Sequence, residues 1–197
     1  MSLYKEFGID IALKRIQTKI ETDNNELSFR SLKTLSENDI RLFECKYEIM
    51  LPIAYRRFIK EISDGGVFTD KNGFTYKLLS LPEIKVEIEL IKKPFPLVNF
   101  WIWENDDYEN NSEYKELFKN VRNGSLMFMD KGCGGSFDLI VTGQCIGEVW
   151  DFTDVGAQSL LYPRRDFLSW FEFFLDNGDR FYEAFPDYTA FEHLNRS

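Results

Sequence analysis

Lys131-Gly-Cys-Gly-Gly135 sets a thiol inside a glycine-rich turn, where a nucleophile meets a freely turning backbone. A reactive thiolate needs a nearby cation or helix N-terminus to lower its pKa, and a base to take its proton. Lys131 is close in sequence. The only histidine, His193, lies in the terminal tail, and no other base is identifiable, so no nucleophilic triad assembles around Cys133. The same glycines resemble a phosphate cradle only superficially. That cradle needs a lysine and a following helix aimed at the phosphate, whereas here a strand follows and no G-K-[ST] occurs. Asp130, Asp138, Asp151 and Asp154 crowd the same region. Paired carboxylates can hydrolyse glycosides or hold a metal, but this spacing matches neither arrangement, and the four read as strand ends or caps. Cys45, Cys133 and Cys145 form no C-x-x-C pair, so no zinc ligand cluster exists. The residue types therefore point to no catalytic group, no metal and no cofactor.

Aromatics beside acids carry a different chemistry. Trp101, Trp103 and Tyr108 adjoin Glu104, Asp106, Asp107 and Glu109, and the stretch from Glu104 to Glu113 holds five acids and no base. Large rings rimmed by charge suit a protein interface. Trp103, Asp106, Asp107, Tyr108 and Glu109 are the partner-binding candidates. The competing reading of the same residues is two core tryptophans followed by a solvated loop.

Charge bounds the partner. The formal net charge is −9 over 197 residues, and it is uneven: residues 1–61 net +1, residues 62–197 net −10. Phosphate contacts need clustered Lys and Arg, so direct nucleic-acid binding is disfavoured. An acidic surface instead steers basic partners. Lys5, Glu6, Asp10, Lys14 and Arg15 interrupt every apolar run at the start, so neither a signal peptide nor a membrane span fits. Unpaired cysteines agree with reduced thiols in the cytoplasm.

The elements that must position these residues are legible in part. A chain this long buries roughly 70% of its unfolded surface, and 19 Phe supply a core. Ile9, Leu13, Ile16 and Ile20 recur at helical spacing until 21–25 break the pattern. Ser36 with Asp39 three residues later predicts a capped helix through Ile40, Phe43 and Tyr47. Pro52 opens a third helix, with Tyr55, Phe58, Ile59 and Ile62 on one face, and Asp64-Gly-Gly66 stops it. Phe74 to Leu79 reads as a strand. Residues 82–91 fit both periods, and Pro82 after Ser80 favours helix. A short helix is expected through Tyr114, Leu117 and Phe118. The runs 126–129, 137–141 and 146–152 are strands too close for helical crossovers, so they pair antiparallel. Phe167, Trp170, Phe171 and Phe174 make a helical apolar face behind Asp166, and Gly178 breaks it. Phe181, Phe185 and Tyr188 predict a further short helix or wrap. The expected fold is α+β: one mainly antiparallel sheet flanked by helices.

Several of these blocks, in order, resemble the SUKH superfamily, the Smi/Knr-like domain of fungal cell-wall synthesis regulators and bacterial immunity proteins. Leu51, Pro52, Tyr55, Phe58, Gly65 and Gly66 match its opening pattern. Gly134-Gly135 before a strand, Gly147-Glu-Val-Trp-Asp151 and Phe167-x-x-Trp-Phe-x-x-Phe174 resemble its later blocks. The resemblance spans residues 36–175. It leaves 1–35 as a helical extension and 176–197 as a helical tail of a single 1–197 domain, with the acidic stretch near 104–113 an insertion. The resemblance implies no catalysis. It implies an immunity protein that binds and neutralises a cognate polymorphic or contact-dependent toxin, often a basic nuclease. The alternative is a regulatory scaffold akin to the cell-wall synthesis regulators.

Overall fold

The computed structural model describes residues 3–22, 25–105, 110–159, 166–178 and 180. Helix α1, Leu3–Thr22, turns Ile9, Leu13 and Ile16 to the interior. Strand β1, Leu27–Ser31, follows with Leu27 and Phe29 in and Ser28 and Arg30 out. Helix α2, Glu37–Tyr47, starts at the expected capping box: Ser36 Oγ accepts the Asp39 N–H, and the Asp39 carboxylate accepts the Ser36 N–H. Helix α3, Ile53–Glu61, opens behind Pro52. Strands β2, Gly66–Asp70, and β3, Thr75–Leu78, make a hairpin. A short helix α4, Ile88–Ile91, and helix α5, Ser112–Asn120, come before strands β4, Ser125–Gly132, β5, Gly135–Ile140, β6, Val149–Phe152, and β7, Ala157–Ser159. Helix α6, Phe167–Asn177, is capped by Asp166, whose carboxylate accepts the Ser169 N–H at 3.0 Å.

Among the described residues seven strands form one sheet in chain order, every neighbouring pair antiparallel. The α+β architecture expected from the sequence is the one observed. One face carries Phe68, Phe128 and Phe137 against Phe58 of α3 and Trp170, Phe171 and Phe174 of α6. The rings meet mostly edge-on or tilted, as at Phe128–Trp170, 4.7 Å between centroids, the arrangement the ring quadrupole favours. Helix α1 closes this layer. Its Arg15 and Lys19 pair with Glu172 and Asp176 of α6, and Asp10 accepts from Arg57 of α3 at 2.7 Å.

The short signature blocks have structural reasons. Glu44 Oε1 accepts the Leu51 N–H at 3.0 Å and Arg56 Nε at 3.2 Å, while Arg56 also grips Glu37, so α2, the Leu51-Pro52 turn and α3 are locked together. Gly65 has φ +86, and a Cβ there would stand 2.7 Å from Ser80 N; one at Gly66 would overlap the Phe29 ring. Asp64 Oδ1 accepts the Leu81 N–H at 2.7 Å, although burial pushes the Asp64 carboxyl above its usual range.

Two stretches differ from expectation, and a third is not described. Residues 82–91 are not one helix: a 3-10 turn over Leu81–Glu83, capped by Ser80 and Glu83, gives way to extended backbone at Ile84 before α4. Both periodicities fitted because Leu81, Ile84 and Ile91 are all buried, whatever the backbone between them. Strand β1 falls inside the stretch read as a helical extension. The tail helix or wrap through Phe181, Phe185 and Tyr188 lies outside the described residues.

Candidate partner-binding face

The described residues cover only part of the second face of the sheet. Over β1–β3 it shows Ser28, Arg30, Thr75 and Lys77 to solvent. Over β5–β7 a strap, residues 95–105, crosses Ile140, Trp150, Phe152 and Ala157 and packs them with Leu117 and Phe118 of α5. Hydrogen bonds fix the strap at both ends. Phe95 N donates to Thr142 O at 3.1 Å, and the Cys145 thiol donates to Leu97 O at 3.5 Å. Trp101 and Ala157 exchange N–H···O bonds of 2.9 Å, which closes the edge of β7. The Trp103 indole N–H donates to Asp154 O at 2.7 Å.

Buried side chains sit at the two ends of the strap and exposed ones in its middle. Phe95 and Leu97 point in, with the Phe95 ring 4.8 Å from that of Trp150. Val98 and Phe100 are 39% and 62% exposed. Trp103 is 6% exposed, its ring 5.4 Å from that of Phe118. Of the sequence-derived candidates, Trp103 is thus a buried anchor that fixes the start of the acidic stretch. Asp106, Asp107, Tyr108 and Glu109 lie outside the described residues. The far end of the stretch is fixed as well: Asn111 Oδ1 accepts the N–H groups of Glu113 and Tyr114 and caps α5. Val98 and Phe100 went unnoticed in the sequence.

The residues with reactive types are dispersed. Asp138, 1% exposed, takes two 2.9 Å contacts from Arg122 Nη1 and bonds from the hydroxyls of Ser125 and Ser136. Arg122 lies over the Phe152 ring at 4.1 Å. Asp151, on the opposite face, pairs with Lys131, whose ammonium also sits over Phe137. Asp130 accepts the Gly132 N–H. Cys133 sits exposed in the β4–β5 turn with φ +50, followed by Gly134 at φ +80, the left-handed pair that a two-residue hairpin requires. Among the described residues no three His, Cys, Asp or Glu side chains gather to hold a metal. No described helix is long and apolar enough to cross a membrane.

What the described elements define is a helix-backed antiparallel sheet with an anchored strap over part of its other face. The chain belongs to the SMI1 / KNR4 family (SUKH-1), whose model matches residues 34–177, from just before α2 to the end of α6. That family includes toxin-immunity proteins and fungal regulators. No curated protein and no solved structure matches the chain. Helix α1 and strand β1 lie outside the family match, although both belong to the folded layer described above.

Proposed function

We propose that this protein is an immunity protein that binds a cognate bacterial polymorphic or contact-dependent toxin, a basic nuclease domain, and neutralises it by covering its active surface without catalysis. One observation carries the reading. The strap sets the exposed Phe100 and Val98 directly before the acidic stretch 104–113, and both ends of that stretch are pinned, at Trp103 and at Asn111. A binding segment held on a rigid base loses little conformational entropy when a partner arrives. A nuclease presents cations to phosphate, and an acidic segment attracts such a surface from a distance. In this account Asp106, Asp107 and Glu109 supply attraction, Tyr108 supplies contact, and Trp103 holds them in place.

The test is co-expression with the toxin domain encoded by the adjacent gene, followed by a sizing column. Rescue of growth and co-elution are the expected outcomes. Unrelieved killing with no complex contradicts the proposal.

A further inference from the structure

Three asparagines stand directly before a glycine: Asn72-Gly73, Asn123-Gly124 and Asn177-Gly178. The pair carries a chemistry of its own. The glycine amide nitrogen, once deprotonated, attacks the asparagine Cγ. Ammonia leaves, and a succinimide ring closes between side chain and backbone. Water then opens the ring at either carbonyl, giving aspartate or isoaspartate. The balance is one water taken up and one ammonia released, with nothing oxidised or reduced. Glycine is the neighbour that permits it, because no Cβ stands in the path of closure. Closure further requires water at the site and a backbone free to bring Cγ onto the next nitrogen.

The fold treats the three unequally. Asn123 is 6% exposed, and Gly124 N donates to Leu90 O at 3.0 Å. Gly124 is hemmed in so tightly that an added Cβ would stand 2.2 Å from Thr142 Oγ1. Asn177 is the last residue of α6. Its Nδ2 donates back to Phe173 O at 3.0 Å, and Gly178 N donates to Phe174 O at 2.7 Å, so helix bonds hold both partners of the reaction. Asn72 stands in the β2–β3 turn, exposed together with Lys71 and Gly73, and nothing lies within 4 Å of where a Gly73 Cβ would be. Its side-chain tie is the weakest of the three: Nδ2 reaches Asp70 Oδ2 at 3.5 Å, the outer limit of a hydrogen bond. One contact opposes the reaction, the 3.0 Å bond from Gly73 N to Asp70 O. That bond closes an exposed turn, and such bonds open at far lower cost than those of a helix or a buried junction.

We infer that Asn72 is a spontaneous deamidation site, which converts the protein with time into a form one charge more acidic and altered at the β2–β3 turn. The turn is built on Asp70, whose Oδ1 accepts the Asn72 N–H at 2.8 Å and the Phe74 N–H at 2.7 Å. Isoaspartate at 72 adds a methylene to the backbone between those two donors. Either product also sets a carboxylate against Asp70 where an amide stood. The rung next to the turn, Thr69 with Thr75, is the first to feel the change.

The experiment ages the full chain in mildly alkaline buffer, folded and in urea, and follows each Asn-Gly peptide by mass spectrometry. In the folded chain the Asn72 peptide is expected to exchange NH for O about tenfold faster than the Asn123 or Asn177 peptide, whose reaction waits on a larger opening. Its rate should rise in proportion to hydroxide, and an isoaspartyl methyltransferase should label the product. In urea, where all three are solvated, their rates should converge. Asn72→Gln should leave the folded chain unlabelled; labelling that persists in this variant contradicts the assignment. An Asn72 that keeps its mass in the folded chain while the unfolded chain reacts overturns the inference. Equal rates at the three sites in the folded chain, or earlier reaction at Asn123 or Asn177, overturn it as well.

Discussion

Beneath α6 the sheet is closed by rings: Phe68, Phe128 and Phe137 meet Trp170, Phe171 and Phe174, all fully buried. Beneath the strap it is closed by an irregular segment that buries Phe95, Leu97 and Trp103 and leaves Val98, Asn99 and Phe100 in water. The first layer is apolar on both sides and specifies the fold. The second is held by backbone hydrogen bonds and two indoles, and its outer side is left to be used. Stability and binding should therefore separate by face.

The largest expected effect lies in the ring layer. Phe171→Ala should cost about 3–5 kcal/mol of unfolding free energy in urea melts, through lost burial and a cavity. Phe100→Ala should stay within about 0.5 kcal/mol of wild type, as exposed positions do. Equal losses at the two positions would erase the distinction between the faces. The next effect tests whether the strap side contains a buried electrostatic tie. Arg122→Ala strips the Asp138 carboxylate of its cation while its two hydroxyl donors remain, and a loss of about 3 kcal/mol is expected. Arg122→Ala with Asp138→Ala together should cost less than the sum of the single changes, a double-mutant cycle that isolates the pair.

Helix α1 sharpens the comparison from the other side. It lies outside the family match, yet Leu13 and Ile16 are buried against the shared layer. Leu13→Ala should cost about 2–3 kcal/mol in a single cooperative transition. A separate early transition for α1, or no change, would make it an appendage.

The smallest effect is the pH dependence. Hydrogen bonds from Arg56 and then Lys60 hold the Glu37 carboxyl at about 2, and those from Lys77 and Ser80 hold Glu83 at about 2. Both are depressed on folding, so the unfolded chain binds more protons between pH 4.5 and 2. Their contribution is complete above pH 4.5 and is lost as pH falls through that window. Asp64, pushed upward by burial, acts in the opposite sense, its contribution fading as pH rises past its unfolded value. Glu37→Gln should flatten the acid limb of stability against pH; an unchanged limb would remove the Arg56 cluster from the account.

Legibility in the sequence follows the same division. The helix-packed layer could be read because periodicity and caps coincide there: Ser36 with Asp39, Asp166 before Phe167, and the stripe from Tyr55 to Ile59 each carry two signals. Strands β1, β2 and β7 escaped because five, five and three residues are too short for alternation to register. The strap was not read as an element, and only its tryptophans drew notice. Sequence could not tell that Trp103 turns inward, since that depends on the Asp154 carbonyl, which lies far along the chain. Phe100 was passed over because exposure is a property of the assembled surface.

The most direct measurement is the association rate of this protein with the inactivated toxin domain across ionic strength, for wild type and for Asp106→Lys with Asp107→Lys and Glu109→Lys. The account predicts a wild-type rate that falls steeply with salt, a tenfold or greater loss in the triple variant at low salt, and convergence of the two at high salt. A rate indifferent to salt, or unchanged by reversing those three charges, would contradict the claim that an acidic, strap-mounted surface receives a basic partner.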